Sequence, residues 1–245
     1  MNRLLKNILV IGVMILCIGY LVFAGERAIH SSRQQVCSNL IIFINDYDKK
    51  MLISDGEIAV YLKEKGLNPI GKKLGLIKTK SIEDAVETHP MVRHAECFKT
   101  PGGDIRVNIT QRTPILRIIG PENYYVDDLR RPIPLSVNHT AYVPVFSGNI
   151  TRKMATSAIF EFAQFLNKDE FWGNQIAQVN ITQNMKVQLV PRIGDHIIML
   201  GNFDRYEQKL EKLRKFYLYG LNEIGWNHYS QIDLQFRDQV VCTRR

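Results

Sequence analysis

Cysteine is scarce in this 245-residue chain, four in all, and Cys17 lies in a hydrophobic run near the start. The remaining three, Cys37, Cys97 and Cys242, cannot all pair with one another. That excludes a disulfide-stapled scaffold and leaves small buried hydrophobes or free thiols. Catalytic strings are missing too: there is no G-x-S-x-G elbow, no H-E-x-x-H and no cysteine with an evident histidine partner. Acidic side chains are outnumbered, giving a net charge of +8, yet the excess is spread except at Lys72-Lys73, Arg130-Arg131 and Arg244-Arg245. No basic stripe with interleaved aromatics appears, which argues against nucleic-acid binding.

Three strings come nearest to chemistry, and each fails on spacing or context. "GLNPIGKK", Gly66 to Lys73, fits G-x-x-x-x-G-K of a nucleotide-binding loop but ends in lysine where the motif needs Ser or Thr for Mg²⁺. It also follows a helix pattern rather than a strand, so Asn68-Pro69 and the two glycines read as a loop between helices. His89 and His94 are five apart with Pro90 between them, a spacing that neither a helix nor a strand face turns into a metal pair. Asp127 and Asp128 are adjacent, so in an extended segment their carboxylates point to opposite sides and read as turn residues. The sequence therefore argues against an enzyme and implies no cofactor, metal or small-molecule substrate.

What is present begins with a long apolar run. Ile8 to Gly25 carries no charged side chain and, as a helix, would be about 27 Å long, close to the thickness of a bilayer's hydrocarbon core. It reads as a membrane anchor. The competing reading is a cleavable signal peptide with Val22-Phe23-Ala24 as its small-residue site, but secretory h-regions usually run only about 7 to 15 residues. Either way the chain from about Glu26 onward faces outward, and Arg3 and Lys6 belong to a short cytoplasmic flank. Leaving out Arg3 and Lys6 takes two units from the net charge of +8, so +6 remains on the exported part.

After a polar tether, Leu40 to Ile44 reads as a short strand. Ser54 and Glu57 have capping-box spacing ahead of Ile58 and Leu62, with Gly66 as the helix stop. Ser81 with Asp84 predicts the start of a second helix that Pro90 ends. Next, Pro101-Gly102 predicts a type II turn in a hairpin whose second strand alternates Ile105, Val107 and Ile109 with polar residues. Strand, helix, helix, strand, strand is the order of a polypeptide-transport-associated (POTRA) unit.

From Tyr124 the texture is strands and turns, interrupted by two helices. One carries Ala155, Ile159, Phe162 and Leu166 as its apolar stripe; the other carries Tyr206, Leu210, Leu213 and Tyr217, with Asp204 and Glu207 as cap and Gly220 as stop. Gln175 to Thr182, Met185 to Val190, His196 to Leu200 and Gln231 to Val241 read as antiparallel strands. The fold class expected is α+β: a transmembrane helix, a small POTRA-like α/β domain, and a mostly antiparallel β domain with two flanking helices. The expected divisions are a tail at 1–7, the span at 8–25, a linker at 26–38, the POTRA-like domain at 39–118 and the β domain at 119–245.

Four strings carry a resemblance to a known family. "LNPIGKKLGLIKTKSIEDAVETHPMVRHAECFKTPGGDIRVNITQRTP", "YYVDDLRRPIPL", "VPVFSGNI" and "GWNHYSQIDLQFRDQVV" are together similar to the bacterial cell-division proteins FtsQ/DivIB, of the Bacteroidetes branch. Gln111 stands where many members have glutamate, and Arg130 where a turn glycine is common. The resemblance implies a non-enzymatic, single-pass protein of the inner membrane, with its bulk in the periplasm at the division septum. It further implies that the protein links early and late division proteins and recruits or regulates septal peptidoglycan synthesis through a complex with FtsB (DivIC) and FtsL. The POTRA-like unit would be a second docking surface.

The resemblance also places partner binding on the last strand and its approach. An unpaired strand edge offers free N–H and C=O groups that a partner strand completes. Trp226 and Tyr229 are then the expected aromatic anchors, and Gln231, Asp233, Gln235 and Arg237 the expected outward contacts, with Arg237 and the +6 field favouring an acidic partner. Ile232, Leu234 and Phe236 are expected to face the core. The alternative from another class is an outer-membrane transport or secretion component. Those usually carry several POTRA repeats or a membrane barrel, and no repeat follows here.

Overall fold

A computed structural model describes residues 11–23, 33–46, 52–136 and 139–245. Residues 11–23 are helical, but no described helix is long and apolar enough to cross a membrane. The rest of the expected span, 8–10 and 24–25, lies outside the described residues, as does most of the linker.

The chain divides into two compact units, one ending at Gln111 and the other running from Arg112 and including Leu52. The boundary precedes the 118/119 division read from the sequence. The reason is that Pro114–Ile119, which continues the apolar texture of the hairpin, pairs with strands of the second sheet.

The first unit contains β1 (Leu40–Ile44), α1 (Asp55–Glu64), a 3₁₀ turn (Leu74–Leu76), α2 (Thr79–Glu87), β2 (Val92–Lys99) and β3 (Ile105–Gln111). Its sheet has the order β1-β3-β2, with β1 parallel and β2 antiparallel to β3. Ser54 caps α1 as expected, its hydroxyl accepting from the Glu57 N–H at 3.2 Å. Ile58 and Leu62 on α1, with Ile82 and Val86 on α2, are buried with Ile105, Val107 and Ile109 of β3.

Three local expectations for this unit change. Helix α2 begins at Thr79, before Ser81, without a side-chain cap; Lys80 instead pairs with Asp84 at 3.0 Å in the first turn. In the hairpin the left-handed residue is Gly103 (φ +90°), not Gly102, with the Gly103 N–H on the Thr100 carbonyl at 3.1 Å. Pro101-Gly102 thus makes a type I rather than a type II turn. The tether also ends early, because Cys37 is buried and exchanges main-chain bonds with Gly71 and Lys72 at 2.9 Å. All four thiols are free, and burial pushes Cys97 up to about 12.

Among the described residues the second unit holds one nine-stranded sheet. Its strands are β4 (Pro114–Ile119), β5 (Tyr124–Asp127), β6 (Pro132–Pro134), β7 (Val145–Gly148), β8 (Ile176–Ile181), β9 (Val187–Pro191), β10 (Ile197–Gly201), β11 (Tyr229–Asp233) and β12 (Val241–Arg244). They lie in the order β12-β11-β10-β9-β8-β7-β4-β5-β6. The pairs β4·β7, β7·β8 and β10·β11 are parallel, so the expected run of antiparallel strands is a mixed sheet. Parallel neighbours need crossovers; β4 reaches β7 through β5 and β6, and helices supply the crossovers of the other two pairs. α3 (Arg152–Ala155), α4 (Ala158–Lys168) and α5 (Glu170–Gln175) join β7 to β8. α6 (Tyr206–Phe216), a π-turn (Tyr217–Leu221) and α7 (Asn222–Ile224) join β10 to β11.

Ile159, Phe162, Leu166, Leu210, Leu213 and Tyr217 form one core with Leu116, Phe146, Val179, Leu189, Ile198 and Ile232 of the sheet. The two helical stripes read from the sequence therefore do bury. The caps of α6 differ. Arg205 (φ +51°) precedes it without a side-chain bond, because the Asp204 carboxylate accepts from Asn202 instead. The chain leaves the helical segment not at Gly220 but at Gly225 (φ +94°), whose N–H bonds the Leu221 carbonyl at 2.9 Å.

The opposite sheet face carries polar side chains joined across strands. Gln178 donates to the Ser147 hydroxyl at 2.6 Å, Ser147 to Asn180 at 3.2 Å, and Asn180 to Gln188 at 3.0 Å.

Asp127 is fully buried and organises the turn from β5 to β6. Its Oδ1 accepts the Leu129 N–H at 3.0 Å and the Arg131 N–H at 2.7 Å, while Arg112 and Arg131 approach Oδ2 at 3.6 Å. Arg130 adopts φ +60° in this turn, the conformation for which glycine carries least strain. Its guanidinium lies 4.4 Å from the centre of the Phe160 ring and pairs with Glu161.

Candidate protein-interaction site

The string "IDLQFRDQVVC" is not one strand. β11 ends at Asp233, and the chain turns back to form β12 antiparallel to it, with Ile232 opposite Cys242 and Asp233 opposite Val241. The break has a local cause: the Asp233 carboxylate accepts the Gln235 N–H at 2.8 Å, an Asx-type bond that takes the backbone out of the ladder. Lys212 on α6 then holds the connection, its Nζ donating to the carbonyls of Phe236 at 2.6 Å and Arg237 at 2.9 Å. Gly201 (φ +84°) lets β10 pass close beneath, since a Cβ there would sit 2.6 Å from the Gln235 Cγ.

The expected contacts are therefore dispersed. Gln231 and Asp233 lie on β11, which is flanked by β10 on one side and β12 on the other, so their main chain is not an edge. Gln235 and Arg237 lie in the connection. Phe236, expected in the core, is 47% exposed, whereas Ile232 and Leu234 are buried as expected. Trp226 is half-buried, its ring 4.9 Å from Tyr217 in a near-perpendicular contact, and Tyr229 stands 6.1 Å from Phe216. Both packing partners belong to the α6 segment, so these two aromatics also support the sheet.

The free edge belongs to β12, whose four residues are half-buried or exposed and which, among the described residues, has β11 as its sole neighbour in the sheet. Sequence pattern does not single out these residues, because Gln231 to Val241 reads as one strand that ends where β12 begins. Three consecutive polar residues, Arg237-Asp238-Gln239, between Phe236 and Val240 are the local signal of a turn. The other end of the sheet is closed differently: β6 carries Pro132 and Pro134, which lack N–H donors and blunt an edge. Of the two ends of the sheet, β12 is the one whose residues all keep their donors.

Beside the β11–β12 connection stand Arg205, Lys209, Lys212 and Arg237. The Lys209 ammonium is buried and fully bonded, to the Leu200 and Asn202 carbonyls at 2.9 Å and to the Asn202 side chain at 2.8 Å; burial lowers its pKa. Behind Trp226, the buried His196 shares a 2.8 Å hydrogen bond with the Tyr217 hydroxyl, and burial lowers its pKa. Among the described residues no group of three or more His, Cys, Asp or Glu side chains is placed to hold a metal ion.

An exposed C-terminal edge strand on a helix-backed sheet, preceded by a POTRA-like unit, is matched by two family descriptions. One, FtsQ/DivIB, C-terminal related, covers residues 113–243, more than half of the chain. The chain belongs to the FtsQ/DivIB family. The other, a POTRA-like domain, covers residues 35–110, which includes the Gln35–Cys37 segment that bonds back to the first unit. No curated protein matches the chain at a significant level. The two matched regions meet at the junction between the compact units, between Gln111 and Arg112. Both are scaffold rather than catalytic domains, and the FtsQ/DivIB family is one of membrane-anchored cell-division scaffolds that act through protein–protein contacts.

Proposed function

We propose that the protein is a non-enzymatic divisome scaffold, anchored in the inner membrane by residues 8–25. It recruits and regulates septal peptidoglycan synthesis by holding FtsB (DivIC) and FtsL at the septum. The open edge of β12 carries this reading: a partner strand laid along Val241–Arg244 would extend the nine-stranded sheet by β-augmentation. The prolines of β6 direct such an addition to the β12 end. Arg205, Lys212, Arg237, Arg244 and Arg245 lie near this edge or just beyond it and favour an acidic partner. Gln231 and Asp233, on β11, stand one strand behind the paired edge, and Tyr229, Trp226, Gln235 and Arg237 form its surroundings. The POTRA-like unit provides a second docking surface.

The experiment is site-specific photocrosslinking in dividing cells, with the crosslinker placed at Val241, Thr243 or Arg244 of the full chain. Crosslinks to FtsB from these positions, and none from Gln178 on the open sheet face, are the expected result. A folded protein that reaches mid-cell and gives no FtsB crosslink from any β12 position would overturn the reading.

A further inference from the structure

The second unit contains a cleft of about 590 Å³ that the proposed scaffold function does not use. It lies at the end of the sheet where β7 and β8 begin and β9 has just ended. The segment Thr140–Val145 forms one wall and the α4–α5 corner the other. Its size falls within the about 300–1,000 Å³ typical of ligand clefts.

The first wall is basic and has unused bonding capacity. Arg117, in the middle of β4, has its guanidinium 5.9 Å from the centre of the Tyr125 ring, and its Nε is buried without a hydrogen-bond partner among the described residues. A buried charged donor left without a partner is costly, so a group that accepts from it is favoured there. Arg192, immediately after β9, is held by the Tyr142 hydroxyl at 3.3 Å and lies 5.9 Å from that ring. Tyr142 itself is 84% exposed. Two arginines placed by aromatic rings suit a carboxylate, which each guanidinium can grip through two parallel N–H groups.

The main chain on this wall is also free. Tyr142 and Val143 make no main-chain hydrogen bond among the described residues, whereas Ala141 on one side donates to the Tyr125 hydroxyl and Pro144 on the other accepts from the Arg117 N–H. Two residues of unpaired donors and acceptors beside a pair of arginines match the main chain of a short peptide.

The opposite wall is acidic. Glu170 is exposed, and Asp169 uses Oδ1 to cap the Trp172 N–H at 2.9 Å. The carbonyl end of α4 at Leu166 and Asn167 adds partial negative charge on the same side. A plain anion would meet these groups unfavourably, whereas a ligand with charges of both signs satisfies both walls.

We infer that this cleft binds a short peptide segment bearing a carboxylate, seated by Arg117 and Arg192, and an ammonium group facing Glu170, with its main chain paired to Tyr142 and Val143. The site is separate from the β12 edge, so it would allow the scaffold to hold a second peptide ligand together with its strand partner.

The test uses the purified full chain and the blocked peptide acetyl-Lys-Val-Ala-Glu-amide, followed by saturation-transfer NMR. Binding should weaken about tenfold or more when the peptide's Glu is replaced by Gln, and by a similar factor in R117Q and in R192Q. E170Q should weaken it less and abolish the preference for Lys at the peptide's first position. R192Q alters an exposed side chain, so it keeps the test valid should R117Q fold poorly. The inference is overturned by peptide binding indifferent to R192Q, by no binding of the peptide, or by inorganic phosphate displacing it at equal concentration.

Discussion

The three-stranded unit and the nine-stranded unit differ in how much of their pairing is local. In the first, β2 and β3 are consecutive and joined by a tight turn, and β1 alone arrives from a distance. In the second, β7·β8 and β10·β11 are joined across helical crossovers, and both crossovers lie on the same face of the sheet. The second unit's outer edge thus depends on helices distant from it in sequence. β12 is in place because β11 is, and β11 pairs with β10 because α6 returns the chain to it.

The largest effect should come from cutting into that shared core. Phe162 is fully buried and touches Phe146 of the sheet, Phe203, and Tyr206 of α6, with ring centres 6.4, 5.3 and 5.1 Å away. Phe162→Ala should cost about 3–5 kcal/mol. Both tryptophans, Trp172 and Trp226, lie in the second unit, so denaturant unfolding followed by tryptophan fluorescence reads that unit alone. If amide exchange in β3 rose as much as in β8, the two units would be one cooperative body.

Asp127→Ala comes next, at about 3 kcal/mol, because two main-chain N–H groups of the turn and the nearby Arg112 and Arg131 lose their carboxylate together. The same fluorescence transition measures it. An unchanged midpoint would show that the turn holds without its anchor.

Protonation provides a milder probe. His196 is buried, so its pKa is lowered in the folded state relative to the unfolded chain. Below about pH 6.5 the unfolded state therefore binds more protons. Stability of the second unit should fall as the pH drops through that value, by on the order of 1 kcal/mol per pH unit, until the depressed folded pKa is passed. The measurement is the fluorescence midpoint between pH 7.5 and 5. His196→Gln should flatten the curve, and a curve as steep as the parent's would place the titration elsewhere. His89 is its counterpart in the first unit: burial lowers its pKa, and Glu57 at 3.8 Å opposes the shift.

In the first unit Ser54→Ala should cost about 1 kcal/mol through loss of the α1 cap. Faster exchange at Glu57 and Ile58 with an unmoved tryptophan transition is the expected signature. The smallest effect, under about 1 kcal/mol, is expected from Lys212→Ala, which frees the Phe236 and Arg237 carbonyls. Exchange should quicken at Phe236 to Asp238, and crosslinking from β12 should weaken without a change in the fluorescence midpoint.

Legibility in the sequence followed the range of the forces involved. Ser54 reads as a cap because its bond spans three residues, and the stripes at Ile159, Phe162 and Leu166 or Leu210, Leu213 and Tyr217 read as buried because helical periodicity is local. Ser81, Asp204 and Gly220 misled because each motif was present but lost to a competitor: Lys80 pairing in the first turn of α2, Asn202 claiming the Asp204 carboxylate, and Gly225 offering a later left-handed stop. Pro114–Ile119 could not be assigned to its unit from its own residues, since an apolar strand fits either sheet and β5 and β7 decided the matter.

By itself the sequence determined the two-part organisation, the POTRA-like order of the first part, the faces that bury, and membership of the FtsQ/DivIB family through strings that lie in order along the chain. Tertiary structure alone decided which strand is the edge. Whether Gln231 or Thr243 stands outermost depends on one Asx-type bond at Asp233, two bonds from Lys212, and the parallel seat of β11 on β10. The last two join parts of the chain that no local pattern relates, because strand pairing is settled by which neighbour the rest of the fold brings within hydrogen-bond reach.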